Sequence, residues 1–184
     1  MMETMPIETM LMETMPTITE ATTWYGHAET PLGMVLLTGR DGALTGLYFE
    51  QHDHTPRCDP SWRLDEDCFD AARSQLGEYF AGRRSSFDVA VQLDGSPFQR
   101  AVWSALCTVG YGETATYGQI AELIGRPGSA RAVGAANGRN PVSIIVPCHR
   151  IIGADASLTG YGWGVERKAW LLDLERAHRR PFGV

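Results

Sequence analysis

Between residues 144 and 152 the chain reads Ile144-Ile145-Val146-Pro147-Cys148-His149-Arg150-Ile151-Ile152, and this run limits the available folds more than any other. Branched aliphatic residues on both flanks mark buried strand or core-facing backbone. A thiol, an imidazole and a guanidinium lie between them, where unpaired polar groups are costly. Any fold must therefore wrap two apolar flanks in a core and still supply hydrogen bonds to the residues between. Taken alone, Cys148 fits two readings: a small buried hydrophobe, as most free cysteines are, or a reactive thiol. Pro147 and the His149-Arg150 pair argue for the thiol, because a plain core strand would carry more Val or Ile there.

The 184 residues suffice for one ordinary domain or two small ones, and an apolar fraction of 43% supports a core. No run is apolar enough to span a bilayer. Cysteines 58, 68, 107 and 148 show no paired spacing, which fits reduced, cytosolic thiols better than a disulfide framework. The net charge of −6 conceals a split. Residues 1–94 hold 6 Arg against 16 acids, a net of −10, and residues 95–184 hold 10 basic residues against 6 acids, a net of +4. The second half is the candidate for an anionic partner.

Residues 1–21 repeat Met-Glu-Thr-Met-Pro at 2–6 and 12–16. They have neither a basic start nor a continuous apolar segment, so they read as a disordered tail rather than a signal or transit peptide. Residues 22–94 read as a small α+β scaffold domain without a catalytic constellation. Trp24-Tyr25, Met34–Leu37 and Leu44–Phe49 are strand-like, and Gly39-Arg40-Asp41-Gly42 is a hairpin signal. The loop that follows contains His52, His54 and Cys58, a weak metal cluster with no fourth ligand at metal spacing. The periodicity predicts an amphipathic helix over 65–81, then a strand at Phe87–Val91.

Residues 95–184 open with a capping box, Ser96-Pro97-Phe98-Gln99, and a second one follows at Thr116-Tyr117-Gly118-Gln119. The turn Gly125–Gly128 leads to Ser129, predicted to cap a helix Ala130–Asn137. Helix, Gly-containing turn, helix is the helix-turn-helix arrangement. Its second helix is almost all Ala and Gly around Arg131. Such a helix reads base edges poorly but lets its backbone lie close to a nucleic-acid surface, and a tightly packed core helix fits the pattern equally well. A Gly-laced aromatic loop, Thr159-Gly160-Tyr161-Gly162-Trp163-Gly164, precedes a last helix near 166–178. That helix is predicted to turn Ala169, Trp170, Leu171, Leu172 and Leu174 inward.

Pro147-Cys148-His149-Arg150, the preceding Asn140-Pro141, the Ala-Arg-Ala-Val-Gly helix and Tyr117 resemble the O6-alkylguanine-DNA alkyltransferases, continuously from about Ser96 to Glu175. The resemblance implies an α+β fold: a small ribonuclease-H-like N-terminal domain, then a helical winged-helix/helix-turn-helix-like C-terminal alkyltransferase domain. It implies direct-reversal DNA repair, in which O6-alkylguanine is flipped from duplex DNA and its alkyl group moves once, irreversibly, to Cys148. O6-methylguanine is the chief substrate and O4-methylthymine a lesser candidate. By the same resemblance His149 acts as base through a water, Glu175 orients it, Asn140 is the hinge asparagine and Tyr117 supports the leaving guanine. Arg131 is the finger that fills the vacated stack, with Ser129, Ala130, Ala132 and Gly134 on the minor-groove face. Pro147, Ile151, Tyr161, Gly162 and Trp163 form the base pocket, where the carbonyls of Cys148 and Ile151 select guanine. Trp163 stands where vertebrate members have a small residue, which implies a tighter pocket and poor handling of benzyl adducts. No metal or other cofactor is implied, nor a further N-terminal phosphotriester-repair domain; the expected form is a cytoplasmic monomer on double-stranded DNA.

Three other readings are weaker. A non-catalytic lesion sensor of the alkyltransferase-like kind lacks the cysteine. A helix-turn-helix regulator needs long polar side chains on residues 130–137. A Cys-His hydrolase would not carry its pair adjacent in sequence.

Overall fold

The computed structural model describes residues 22–50 and 55–179. His52 and His54 lie outside the described residues, as does the tail at 1–21; Cys58 is exposed. Among the described residues no group of His, Cys, Asp or Glu could hold a metal ion, and no helix is long and apolar enough to cross a membrane.

The first unit is a four-stranded sheet in the order β3-β2-β1-β4, from β1 (Trp24–Thr30), β2 (Gly33–Arg40), β3 (Ala43–Phe49) and the short β4 (Arg63–Leu64). β1–β2 and β2–β3 are antiparallel; β4 joins β1 in parallel. The turn between β2 and β3 is Asp41-Gly42, both at positive φ (51° and 77°), the backbone that two-residue hairpins prefer. Helix α1 (Asp70–Phe80), entered through a single 3-10 turn at Asp67–Phe69, buries Ala72, Leu76 and Tyr79.

Phe87–Val91 differs from its expectation. Its alternation is real, with Phe87, Val89 and Val91 half-buried, yet it forms only an isolated bridge, Val91 to Leu44. The outer edge of β3 is shared. Leu44 pairs with residues 90–92, while Leu47 donates to the Pro141 carbonyl (2.8 Å) and bridges to Val142. A strand-length ladder at 87–91 would need the edge that Pro141 and Val142 occupy.

In the second unit α2 (Pro97–Leu106) and α3 (Tyr117–Leu123) start at complete capping boxes, Ser96 with Gln99 and Thr116 with Gln119. α4 (Ala130–Gly138) packs against both. Ser129 occupies its N-cap position but makes no side-chain cap bond; its φ/ψ of −90°/23° is not the extended geometry a cap needs. β5 (Ala115–Thr116) pairs in parallel with β6 (Ile151–Ile152).

The last helix, α5 (Val165–His178), also departs from expectation. Trp170 is 38% exposed, and the buried face is Lys168, Leu171, Leu172 and Glu175. Those positions follow the i, i+3, i+4, i+7 rule. Reading apolarity alone missed that two members of the stripe are charged.

Candidate active site

Past α4 the chain reverses twice in eight residues. The Ile145 N–H donates to the Ser143 carbonyl (2.9 Å) around Ile144, whose φ is 72°. This is the left-handed γ-turn, rare and strained, here at a β-branched residue with 1% exposure. The Cys148 N–H donates to the Val146 carbonyl (2.8 Å) around Pro147 at φ −81°, ψ 60°, the common inverse γ-turn. Val146 N–H to the Val142 carbonyl (2.9 Å) closes the loop between them. A single 3-10 turn, Cys148–Arg150, then delivers the chain to β6.

Cys148 is 2% exposed. Asn140 Nδ2 donates to its sulfur at 3.0 Å and to the Val146 carbonyl at 2.8 Å, while Asn140 Oδ1 accepts from the Val142 N–H (3.1 Å). Burial pushes the thiol pKa up, and Asn140, Ser143 and the Lys168 charge only partly offset it. Asn137, on α4, donates to the Cys148 carbonyl (3.2 Å).

The imidazole of His149 does not touch the sulfur. Its Nε2 faces Glu175 Oε1 at 2.9 Å. A carboxylate only accepts, so Nε2 carries the proton, which leaves Nδ1 as the basic nitrogen. Nδ1 is buried and has no protein partner. Burial lowers the His149 pKa; Glu175 opposes this, and the Arg150 and Lys168 charges add to it.

Glu175 accepts five hydrogen bonds: from His149, from Arg150 Nε and Nη2 (2.9 Å each), from the Gly112 N–H (3.0 Å) and from the Tyr79 hydroxyl (2.8 Å). Burial by itself would raise its pKa. The bonds and charges of His149 and Arg150 outweigh that and hold the carboxyl well below its ordinary range. Arg150 also donates to the Val109 carbonyl (2.6 Å), so little of its fork is unsatisfied.

On the other side, Lys168 Nζ donates to the carbonyls of Ile151 and Thr159, the latter at 2.7 Å, and burial lowers its pKa to about 8. The Tyr117 hydroxyl donates to the same Thr159 carbonyl at 2.7 Å. Burial and then the nearby Cys148 thiolate push the Tyr117 phenol up to about 12. A Cβ on Gly160 would meet the Tyr117 oxygen at 2.4 Å, and its φ is 72°; glycine is required there twice over.

Two family models cover most of the chain: "6-O-methylguanine DNA methyltransferase, ribonuclease-like domain" matches residues 23–93, and the DNA binding domain of the same family matches 97–177. The chain belongs to the 6-O-methylguanine DNA methyltransferase family. A protein of Mycolicibacterium paratuberculosis named methylated-DNA–protein-cysteine methyltransferase is 52% identical over 84% of this chain and 93% of its own length. A Methanosarcina acetivorans protein of that name is 47% identical over 83% and 97%. The crystal structure of Mycobacterium tuberculosis OGT in complex with DNA superposes with a TM-score of 0.80 at 48% identity, over 84% of this chain and 94% of that one.

Within this methyltransferase family member, Asn140 contacts the Cys148 sulfur and His149 contacts Glu175, but no hydrogen bond joins the two pairs. Tyr117 and Tyr161 both feel the charge of the Cys148 thiolate, and Tyr161 and Ile151 are buried. Pro147 forms the turn, and Gly162 is half-buried between Tyr161 and Trp163. Arg131 and Ala132 are exposed on α4; Ser129, Ala130 and Gly134 are half-buried. Trp163 is 4% exposed, with its ring against Tyr48 (6.1 Å) and Phe49 (5.9 Å) of β3. The carbonyls expected to select guanine each hold a donor already, Asn137 on Cys148 and Lys168 on Ile151, so a base would use their second lone pairs. Asn140 braces the turn and the sulfur, and the tie to α4 runs through Asn137. Sequence reasoning missed Ser143, Asn137, Tyr79 and the use of Arg150 and Lys168. A signal existed for two of them: Asn137 lies one turn after buried Val133, and Lys168, the only lysine in the chain, lies on the stripe of Leu171 and Leu172.

Proposed function

We propose that this chain repairs O6-alkylguanine in double-stranded DNA, O6-methylguanine above all, by moving the alkyl group to Cys148 once per molecule. The observation that carries this reading is a nearly sealed sulfur held by Asn140 at 3.0 Å beside a His149–Glu175 couple with its basic nitrogen free. Displacement at an alkyl carbon calls for a soft nucleophile, and a thiolate is the best the side chains offer. His149 Nδ1 takes the thiol proton through a water, and the ionised Glu175 supports the imidazolium that forms. The sulfur bonds to the carbon as the carbon–O6 bond breaks, and the electron pair passes to the guanine. A phenol as weakly acidic as Tyr117 serves that anion as a hydrogen-bond donor, once an entering base has drawn it from the Thr159 carbonyl.

Residues 22–94 are the scaffold domain and 95–184 the DNA-binding and transfer domain of this reading. The exposed Arg131 enters the minor groove and fills the place of the flipped base, and the short side chains around it let α4 approach the backbones. Binding is then weakly sequence-dependent and salt-sensitive. The protein works as a monomer.

Intact mass after incubation with duplex O6-methylguanine DNA tests the reading. Wild type gains one methyl group and Cys148→Ala gains none. Transfer continuing past one equivalent would overturn the single turnover, and methylation at any other residue would overturn the assignment.

A further inference from the structure

Two consecutive residues of α5 hold the two ends of the loop 159–163. Lys168 Nζ takes the Thr159 carbonyl (2.7 Å), and Arg167 Nη1 takes the Trp163 carbonyl (3.0 Å). Nothing in the roles above uses Arg167. Its Nε donates to the Leu32 carbonyl (3.3 Å), in the turn between β1 and β2, and its guanidinium lies 4.8 Å from the centroid of the Phe49 ring on β3. That turn is itself braced, because the Thr30 hydroxyl donates to the Gly33 carbonyl (2.6 Å) and accepts from the Leu32 N–H (3.2 Å). One planar fork thus joins the first unit of the molecule to the loop of the second. An ammonium has neither the spread of donors nor the flat face to do the same.

What the fork holds reaches Tyr117. The Tyr117 hydroxyl donates to the Thr159 carbonyl (2.7 Å), and Gly160 lies so close to the phenol oxygen that a Cβ there would meet it at 2.4 Å. Between Gly160 and Gly164 the backbone has little slack. The Gly164 N–H donates to the Tyr161 carbonyl (3.2 Å), and the Trp163 ring packs against Tyr48 and Phe49. A shift at Trp163 is therefore passed along three residues to the place where the phenol rests. A donor that changes partner during a reaction must start from a defined position, since a misplacement of about 1 Å can cost a hundredfold in rate.

We propose that Arg167 is a positioning residue for methyl transfer: by tying Trp163 to Leu32 and Phe49 it fixes the loop against which the Tyr117 hydroxyl is set. The proposal rests on the alkyl-transfer reading for the role of Tyr117. It gives the scaffold unit, which carries no nucleophile, a part in the chemistry.

The test measures single-turnover methyl transfer in the full chain with saturating duplex O6-methylguanine DNA, so that the rate constant is read apart from DNA affinity. Arg167→Met and Arg167→Lys are made in wild type and in Tyr117→Phe, each checked for folding by circular dichroism. Arg167→Met is expected to slow transfer roughly tenfold. Arg167→Lys, which keeps the charge and loses the fork, is expected to fall between the two while binding unmodified duplex as wild type does. In the Tyr117→Phe background the Arg167→Met effect is expected to shrink below about twofold, because the loop has no phenol to place. A rate untouched by Arg167→Met overturns the positioning role. Slowing by the same factor with and without the Tyr117 hydroxyl overturns the route through Tyr117. Exchange of the Gly164 amide, followed by NMR without DNA, is expected to quicken in Arg167→Met, and unchanged exchange overturns the clamp whatever the rates. If wild type takes up no methyl while that exchange quickens, the alkyl-transfer reading fails and the clamp stands.

Discussion

Lys168 and Glu175 sit seven residues apart on the buried stripe of α5, both with no exposure, and burial acts on them with different results. Around Glu175 the chain gathers a bidentate arginine, an imidazole, a phenol and a backbone N–H, so the carboxylate stays charged. Around Lys168 it offers two backbone carbonyls, which accept hydrogen bonds but carry no full charge. Its pKa accordingly falls to about 8. Burial alone therefore does not decide the state of a buried ionisable group; the charge brought to meet it does.

Removing Glu175 breaks the comparison most severely. Glu175→Gln strands the buried Arg150 charge, and a loss of about 3–5 kcal/mol in chemical denaturation is expected. The carboxyl pKa is depressed when folded, so its contribution is present above its ordinary value of 4.5 and lost as pH falls below it. The gap between wild type and variant narrows in that acid range; a gap constant from pH 7 to 3 would show that Glu175 is not held ionised.

Lys168 gives the opposite sign. The unfolded chain keeps this proton up to about 10.5, whereas the folded one releases it near 8. Between those values the unfolded state binds more protons, so stability rises with pH. Measured as wild type minus Lys168→Met, the rise is roughly 3 kcal/mol across the window. At pH 7 the variant is expected to be at least as stable as wild type. A marked loss there would mean that the ammonium is paired better than two carbonyls allow.

Tyr79→Phe sharpens the contrast with the smallest change. It removes one of the donors to Glu175 and leaves the rest, for a loss of about 1–2 kcal/mol. A lower rate of methyl transfer at unchanged DNA affinity would show that α1, far from the nucleophile in sequence, helps hold the imidazole's partner. Equal rates would confine Tyr79 to stability.

Much of this was legible beforehand where the signal is local. The hairpin at Asp41-Gly42, the capping boxes at Ser96 and Thr116 and the polar triplet at 148–150 each depend on a few adjacent residues. Phe87–Val91 and Trp170 misled because alternation and apolarity report a preference for burial, while the neighbours decide whether an edge or a face is free. Ser143 carried no local mark; its buried hydrogen-bond donor, the Trp163 indole, lies twenty positions later.

The sequence alone determined that a cysteine and a histidine would be enclosed by aliphatic walls, and that two capped helices and a small-residue helix would stand before them. Only the tertiary structure decided which polar groups meet the sulfur, which nitrogen of His149 is left basic, and that Lys168 and Glu175 are buried under different charges. Capping and turn chemistry are settled over three or four residues, whereas a protonation state depends on groups that the fold brings together from distant parts of the chain.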